Sequence, residues 1–108
     1  MPFYQPDERQ RKELRPGVVT RTFWGENMLL GVVELEANGF IPTHAHPHEQ
    51  STYVVKGELE MDIAGEKRWM KAGELAIIPG GVEHTVQVGP ENCLVLDVFA
   101  PAREDMKY

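Results

Sequence analysis

With 108 residues, the chain is predicted to form a single domain, long enough for one hydrophobic core and too short for two. Its hydrophobic fraction of 42% and charged fraction of 26% are typical of globular proteins, and no apolar run approaches the roughly 20 residues of a membrane-spanning helix. The net charge of −6 argues against nucleic acid as a partner, because nucleic-acid binders normally carry a basic face.

The first 17 residues are polar and rich in proline, which predicts an N-terminal arm with one helical turn between Asp7 and Leu14. No basic-then-apolar signal pattern opens this segment, so we expect the protein in the cytoplasm. The single cysteine, Cys93, excludes an internal disulfide and fits a reducing compartment. Because its neighbours are apolar, we expect Cys93 to be a packed thiol and not a nucleophile.

Residues 18–108 are predicted to form one all-β barrel domain. β-Branched and aromatic residues dominate short segments that are separated by turn signals, and no long helical period occurs between residues 18 and 100. Nine strands are expected, at residues 18–23, 28–35, 40–46, 51–56, 58–63, 67–70, 75–78, 84–88 and 93–99. This number and spacing indicate a β-sandwich or barrel. The strand at 28–35 is apolar at nearly every position, so both of its faces should be covered, which favours a homodimer.

All four histidines fall within two stretches, residues 39–57 and 73–84. His44 and His46 are two residues apart, so in an extended chain their imidazoles project to the same side. His84 follows the tight turn Pro79-Gly80-Gly81. This concentration of imidazoles predicts a metal site built from two hairpins.

The two stretches resemble the two signature motifs of the cupin superfamily. The matching positions are Gly39, His44, His46, Gln50, Gly57, Gly73, Pro79, Gly81 and His84. The chain departs from the pattern at Gln50, where Glu is usual, at Val88, where Asn is usual, and by one missing residue before His44. The resemblance implies a double-stranded β-helix (jelly-roll) barrel with a metal at one mouth, held by His44, His46, Gln50 and His84.

The expected cofactor is one divalent transition metal ion, because imidazole suits Ni, Fe and Zn and, less tightly, Mn. Four protein ligands leave one or two positions open for water or substrate. His48 is an alternative to Gln50, since imidazole binds such metals better than an amide does. Gln50 would leave the ion its full +2 charge, which favours an anionic substrate.

The segment from Asp97 to Asp105 offers further candidates for a binding site. Asp97 lies in an apolar strand, where an acid must be hydrogen-bonded, paired or functional, and Phe99 shares its face. Arg103 has the planar fork that binds a carboxylate through two hydrogen bonds. The alternatives are an Asp97–Arg103 salt bridge and ordinary core packing of Phe99. Tyr53 could also reach the pocket, or it could be a core residue.

This segment and the run His46-Pro-His-Glu-Gln50 resemble the KdgF-type pectin-degradation cupins. That resemblance implies conversion of 4,5-unsaturated monouronates, released from pectin and alginate, to the linear ketonised sugar acid. It assigns proton transfer to Asp97, the sugar pocket to Phe99 and the substrate carboxylate to Arg103. The leading hypothesis is therefore a metal-dependent, non-redox isomerase or lyase-like enzyme that acts on a small anionic sugar. An iron-dependent dioxygenase and a non-catalytic cupin that binds a small acid or a metal are the alternatives.

Overall fold

Ten strands form two antiparallel β-sheets in the computed structural model, which describes residues 2–108. The strands are β1 (Lys12–Arg15), β2 (Val18–Trp24), β3 (Leu29–Leu35), β4 (Phe40–His44), β5 (Glu49–Lys56), β6 (Glu58–Ile63), β7 (Glu66–Lys71), β8 (Leu75–Ile78), β9 (His84–Val88) and β10 (Cys93–Ala100). One sheet has the order β1-β2-β3-β10-β5-β8 and the other the order β4-β9-β6-β7. The predicted all-β, jelly-roll architecture is confirmed.

The core lies between the two sheets, because alternate residues of each strand point inward. In β3, Leu29, Val33 and Leu35 are buried, whereas Leu30 and Val32 on the outer face are only half-buried. Cys93 is buried in this core, and burial raises the pKa of its thiol, so it packs as a small apolar side chain.

The N-terminal segment is more ordered than the predicted arm. It contains a 3-10 turn at Pro6–Glu8, which overlaps the start of the range in which one helical turn was expected, Asp7 to Leu14, and a strand that was not predicted, β1, which pairs with β2. All four residues of β1 are exposed, so the strand is held by backbone hydrogen bonds to β2 and not by burial. The described residues include no helix that is long and apolar enough to cross a bilayer.

Two loops that each connect one sheet to the other, β4 to β5 and β8 to β9, meet where the histidines lie. β4 ends at His44, two residues earlier than predicted, and the chain then bends through Pro47 before β5 begins. The turn after β8 docks on this bend through the hydrogen bond that the Gly81 amide donates to the His46 carbonyl oxygen, at 2.7 Å. A side chain at Gly80 would collide with the Pro47 carbonyl oxygen, so glycine is required for this close approach.

Candidate metal centre

Three histidines converge at one mouth of the barrel. His44 and His84 lie directly opposite each other on the paired strands β4 and β9, and their ring centroids are 4.2 Å apart. His46 projects from the bend after β4 toward the same point, 5.1 Å from the His84 ring. One nitrogen of each ring lies within 4.8 Å of the others, so these three residues are positioned to bind a metal ion.

Backbone contacts fix the tautomer of all three rings. Each Nδ1 lies 2.9 Å from a carbonyl oxygen two residues away, those of Pro42, His48 and Val82 respectively. Since a carbonyl oxygen only accepts, Nδ1 carries the hydrogen in the neutral ring and Nε2 presents a lone pair. The Nε2 of His84 is buried without a hydrogen-bond partner among the described residues. Burial also lowers the pKa of His84, which keeps this ring neutral and able to bind a cation.

Gln50 places its side-chain oxygen beside the cluster. Its Oε1 lies 2.8 Å from Nε2 of His46, although both atoms are acceptors in the tautomer described above. Two acceptors at this separation are compatible with a shared cation, since two ligands at right angles and about 2.1 Å from an ion lie roughly 3 Å apart. The residues present therefore fit a bound metal ion.

The alternative ligand His48 lies outside the three-histidine group. Its ring centroid is 5.9 Å from that of His46, and its backbone carbonyl oxygen accepts the hydrogen bond from His46 Nδ1. His48 is thus placed to orient a ligand, whereas Gln50 faces the lone pairs. The geometry favours Gln50.

Asp97 forms a hydrogen-bonded triangle with Gln50 and Thr52. Its Oδ1 accepts from Thr52 Oγ1 at 2.7 Å and from Gln50 Nε2 at 3.3 Å, and the same Nε2 donates to Thr52 Oγ1 at 2.9 Å. These two donations leave Gln50 Oε1 facing His46. Desolvation by burial raises the pKa of Asp97 to about 6. The hydrogen bonds from Thr52 and Gln50 act in the opposite direction and lower this pKa, but burial has the larger effect.

Thr52 was missed by the sequence reasoning. It lies opposite Asp97 in the β5–β10 pairing and is 2% exposed. The alternation of side chains along a strand could have indicated it, because Thr52 is two residues from Gln50 on β5 and faces inward with it.

A cavity of about 210 Å³ extends from this mouth into the barrel. It is smaller than the roughly 300–1,000 Å³ of sites for drug-sized ligands, so it suits a small molecule. His44, Gln50, Asp97, Phe99 and Arg103 are among its lining residues, together with Arg15, Asp105 and Tyr108, which the sequence reasoning did not single out.

Arg103 lies at the rim of this cavity, with its guanidinium carbon 5.0 Å from the centroid of the Phe99 ring. It donates to both carboxylate oxygens of Asp105, at 2.9 and 3.3 Å, and forms no salt bridge with Asp97. The Phe99 ring is 4% exposed and packs edge-on against His46 at 5.6 Å, so it both lines the cavity and supports the cluster.

The prediction that Tyr53 reaches the pocket is wrong, as is the alternative of a core tyrosine. Gln50 and Thr52 point inward, and Tyr53 has the opposite parity on β5, so its side chain lies on the outer face of the sheet. It is 40% exposed there.

The raised pKa of Asp97 predicts how the stability of the metal-free protein depends on pH. The native state keeps a proton that the unfolded state releases between pKa 3.8 and about 6, so the free energy of unfolding falls as pH rises through this window. At 1.36 kcal/mol per pKa unit, the loss is at most about 3 kcal/mol. Asp97→Asn has no such ionisable group and should not show this loss. We therefore expect its free energy of unfolding, measured by urea denaturation, to rise relative to that of the parent protein between pH 4 and pH 7. An equal difference at both pH values would contradict this expectation.

Comparison with known proteins identifies the family. A family model described as "Cupin domain" matches residues 31–99. The pectin degradation protein KdgF of Dickeya dadantii (strain 3937) is 29% identical over 105 residues, which cover 95% of this chain and 96% of that protein. The structure of KdgF from Halomonas sp. superposes with a TM-score of 0.90 at 27% identity over 96% of both chains. An RmlC-like cupin from Shewanella frigidimarina has the same fold, with a TM-score of 0.90 at 24% identity over 97% of this chain and 95% of its own. The predicted likeness to the KdgF-type proteins is confirmed, and the chain belongs to the cupin domain family.

Proposed function

We propose that this cupin converts 4,5-unsaturated monouronates to the linear ketonised sugar acid. The observation that carries the proposal is the carboxylate of Asp97, which shares one cavity with Arg103 and with His44 and His84 of the three-histidine cluster. The similarity to KdgF over nearly the whole chain supports a small sugar acid as substrate.

The proposed reaction is an isomerisation, so its atoms balance without a co-reactant. The hydroxyl on the anomeric carbon loses a proton, the bond between that carbon and the ring oxygen breaks, and the resulting enolate takes a proton at carbon 4 to become a ketone. A metal ion held by His44, His46, Gln50 and His84 would polarise a sugar oxygen as a Lewis acid. Asp97 would move the proton, since a carboxyl group with a pKa of about 6 can both accept and donate near neutral pH.

Thr52 and Gln50 prepare Asp97 for this role. Both hydrogen bonds reach Oδ1, and no described side chain donates to Oδ2, which leaves the second oxygen for a substrate proton. The uncharged amide of Gln50 also avoids a second carboxylate beside Asp97, where one of the two acids would have to stay protonated.

The test is an NMR assay of unsaturated galacturonate and mannuronate with the protein carrying its native metal. We expect the linear product to form faster than the uncatalysed background, and His84→Ala, which removes one of the three clustered imidazoles, to return the rate to that background. No acceleration on either sugar acid would refute the proposal. A three-histidine site also suits Fe(II) chemistry with oxygen, so consumption of oxygen by the iron-loaded protein would favour a dioxygenase instead.

Arg103 is proposed to hold the substrate carboxylate. We expect Arg103→Ala to raise KM for the monouronate by about 10- to 100-fold with a smaller effect on kcat, because a charge-assisted hydrogen bond contributes about 1.5–3 kcal/mol. Asp105→Asn is the matched control, since it breaks the same ion pair and leaves the guanidinium in place. An equal rise of KM in both variants would show that Arg103 only pins the C-terminal segment.

A further inference from the structure

The interior of the cavity is apolar below its polar mouth. Every lining side chain of β2, β3, β6, β9 and β10 that lies deeper in the barrel than Asp97 and His84 is apolar. In the row next to Asp97, Val95 of β10 lies opposite Val33 of β3, and the following row is apolar as well. We call this part of the cavity the inner compartment; its residues are Val18, Val33, Leu35, Met61, Val86 and Val95.

A sugar acid alone would leave the inner compartment unused. Its lining side chains contain no hydrogen-bond donor and only one weak acceptor, the thioether of Met61. The backbone groups of these residues belong to paired strands and are engaged there. Because a buried hydroxyl without a partner is costly, the hydroxyl groups of a monouronate would remain at the mouth. The inner compartment instead suits an apolar group.

The dimensions of the compartment indicate the size and shape of that group. Leu35 lies four residues along β3 from Gly31, the partner of Asp97, so the apolar lining extends roughly 13 Å below the Asp97 row. The whole cavity measures about 210 Å³. An apolar cavity of about 150 Å³ binds benzene, so this volume corresponds to about eight carbon atoms. Since the volume is distributed over such a depth, the compartment is narrow and suits an unbranched chain better than a ring.

Arg103 provides a cationic group at the entrance. Its Nε and one of its Nη atoms donate to Asp105, whereas the second Nη donates to no described residue. This nitrogen can therefore donate to the carboxylate of a ligand. An acid held in this way would direct its other end past Phe99 into the barrel.

We propose that the cavity binds unbranched aliphatic monocarboxylates of about six to eight carbon atoms, with the carboxylate on Arg103 and the chain in the inner compartment. The proposal rests on the proposed function only for the role of Arg103 as the carboxylate anchor. Such an acid would occupy the cavity in place of the monouronate and inhibit its conversion competitively.

The first test is calorimetric titration of the metal-loaded protein with butanoate, hexanoate, octanoate and decanoate. Burial of one methylene strengthens binding about four-fold, so we expect the affinity to rise roughly 15-fold per two carbon atoms up to octanoate and then to level off. Arg103→Ala should weaken the binding of every acid by about 10- to 100-fold and leave the increments between them unchanged. An affinity that does not increase with chain length would overturn the proposal.

A matched pair of methionine variants tests where the chain lies. Met61 and Met70 are both 3% exposed and belong to the same core, but only Met61 lines the cavity. Met61→Ala enlarges the inner compartment, so decanoate should bind this variant at least ten-fold more tightly than it binds the parent protein. Met70→Ala should bind decanoate like the parent protein. Equal changes in the two variants would show that the chain does not enter the inner compartment.

Methyl NMR of the parent protein gives the same information without any core substitution. In the protein loaded with Zn²⁺, octanoate should shift the methyl signals of Val33 and Val86, which line the cavity. The signals of Val32 and Val98, on the outer face of β3 and β10, should not move. Shifts confined to these outer valines would overturn the proposal. If the acids fail to bind while the monouronate is still converted, this inference fails and the proposed function stands.

Discussion

Replacing Asp97 with asparagine is expected to lower kcat for the unsaturated monouronate by roughly 10²- to 10⁴-fold, the usual contribution of a positioned acid or base. Asn Oδ1 can accept the same hydrogen bonds from Thr52 and Gln50, at 2.7 and 3.3 Å in the parent protein, so the packing of the site is preserved. What the variant loses is the ability to hold and release a proton. The measurement is turnover by NMR at saturating substrate, with metal content determined on the same samples.

The control separates this loss from general effects of removing a carboxylate. Asp62→Asn changes an acid near the end of β6, outside the cavity, whose Oδ1 accepts from the Gly65 amide at 2.9 Å, and it should leave kcat unchanged. Metal affinity should be similar in the parent protein and Asp97→Asn, because Asp97 is not among the clustered nitrogen donors. If Asp97→Asn retains turnover within a factor of two or three, the carboxylate has only a structural role.

The local sequence pattern predicted nine of the ten strands but not β1. All nine expected strands are present, because β-branched and aromatic residues mark most of them and turn residues separate them. β1 has no apolar period, since its residues, from Lys12 to Arg15, are all exposed at the edge of the sheet. Its only local signal was the Pro16-Gly17 turn, in which Gly17 has a φ of +80° and connects β1 to β2.

The site was predictable as a set of residue types and only partly as a geometry. His44 and His46 were expected to share a strand, yet the bend after His44 brings His46 to the cluster. His44 and His84 face each other because of the register between β4 and β9. This register is a non-local property, so the spacing of the histidines along the chain does not reveal it. Likewise, the pairing of Arg103 with Asp105 depends on the path of the C-terminal segment across the barrel mouth.

The neutral side chain at position 50 connects the metal centre to Asp97, and Gln50→Glu is expected to move metal affinity and turnover in opposite directions. A carboxylate binds a divalent ion more tightly than an amide does, so metal affinity should rise. The substitution would also replace the Gln50 amide nitrogen, a hydrogen-bond donor 3.3 Å from Asp97 Oδ1, with a negatively charged oxygen. At an effective dielectric constant of about 20, the repulsion between the two charges at this distance is about 5 kcal/mol. The two acids would then share a proton, and the charge available to an anionic substrate would fall from +2 to +1.

We therefore expect kcat/KM for the monouronate to fall at least about 100-fold in Gln50→Glu, which corresponds to about 3 kcal/mol. Calorimetric titration of metal into the stripped protein, beside the NMR assay, measures both quantities. Gln50→Ala, which removes the proposed ligand without adding charge, should lose metal affinity and turnover together. Tighter binding of a carboxylate ligand to Gln50→Glu than to the parent protein would show that the charge at this position does not select the substrate. If metal affinity rises and turnover falls in Gln50→Glu, and both fall in Gln50→Ala, Gln50 serves both as a metal ligand and as a neutral neighbour for Asp97.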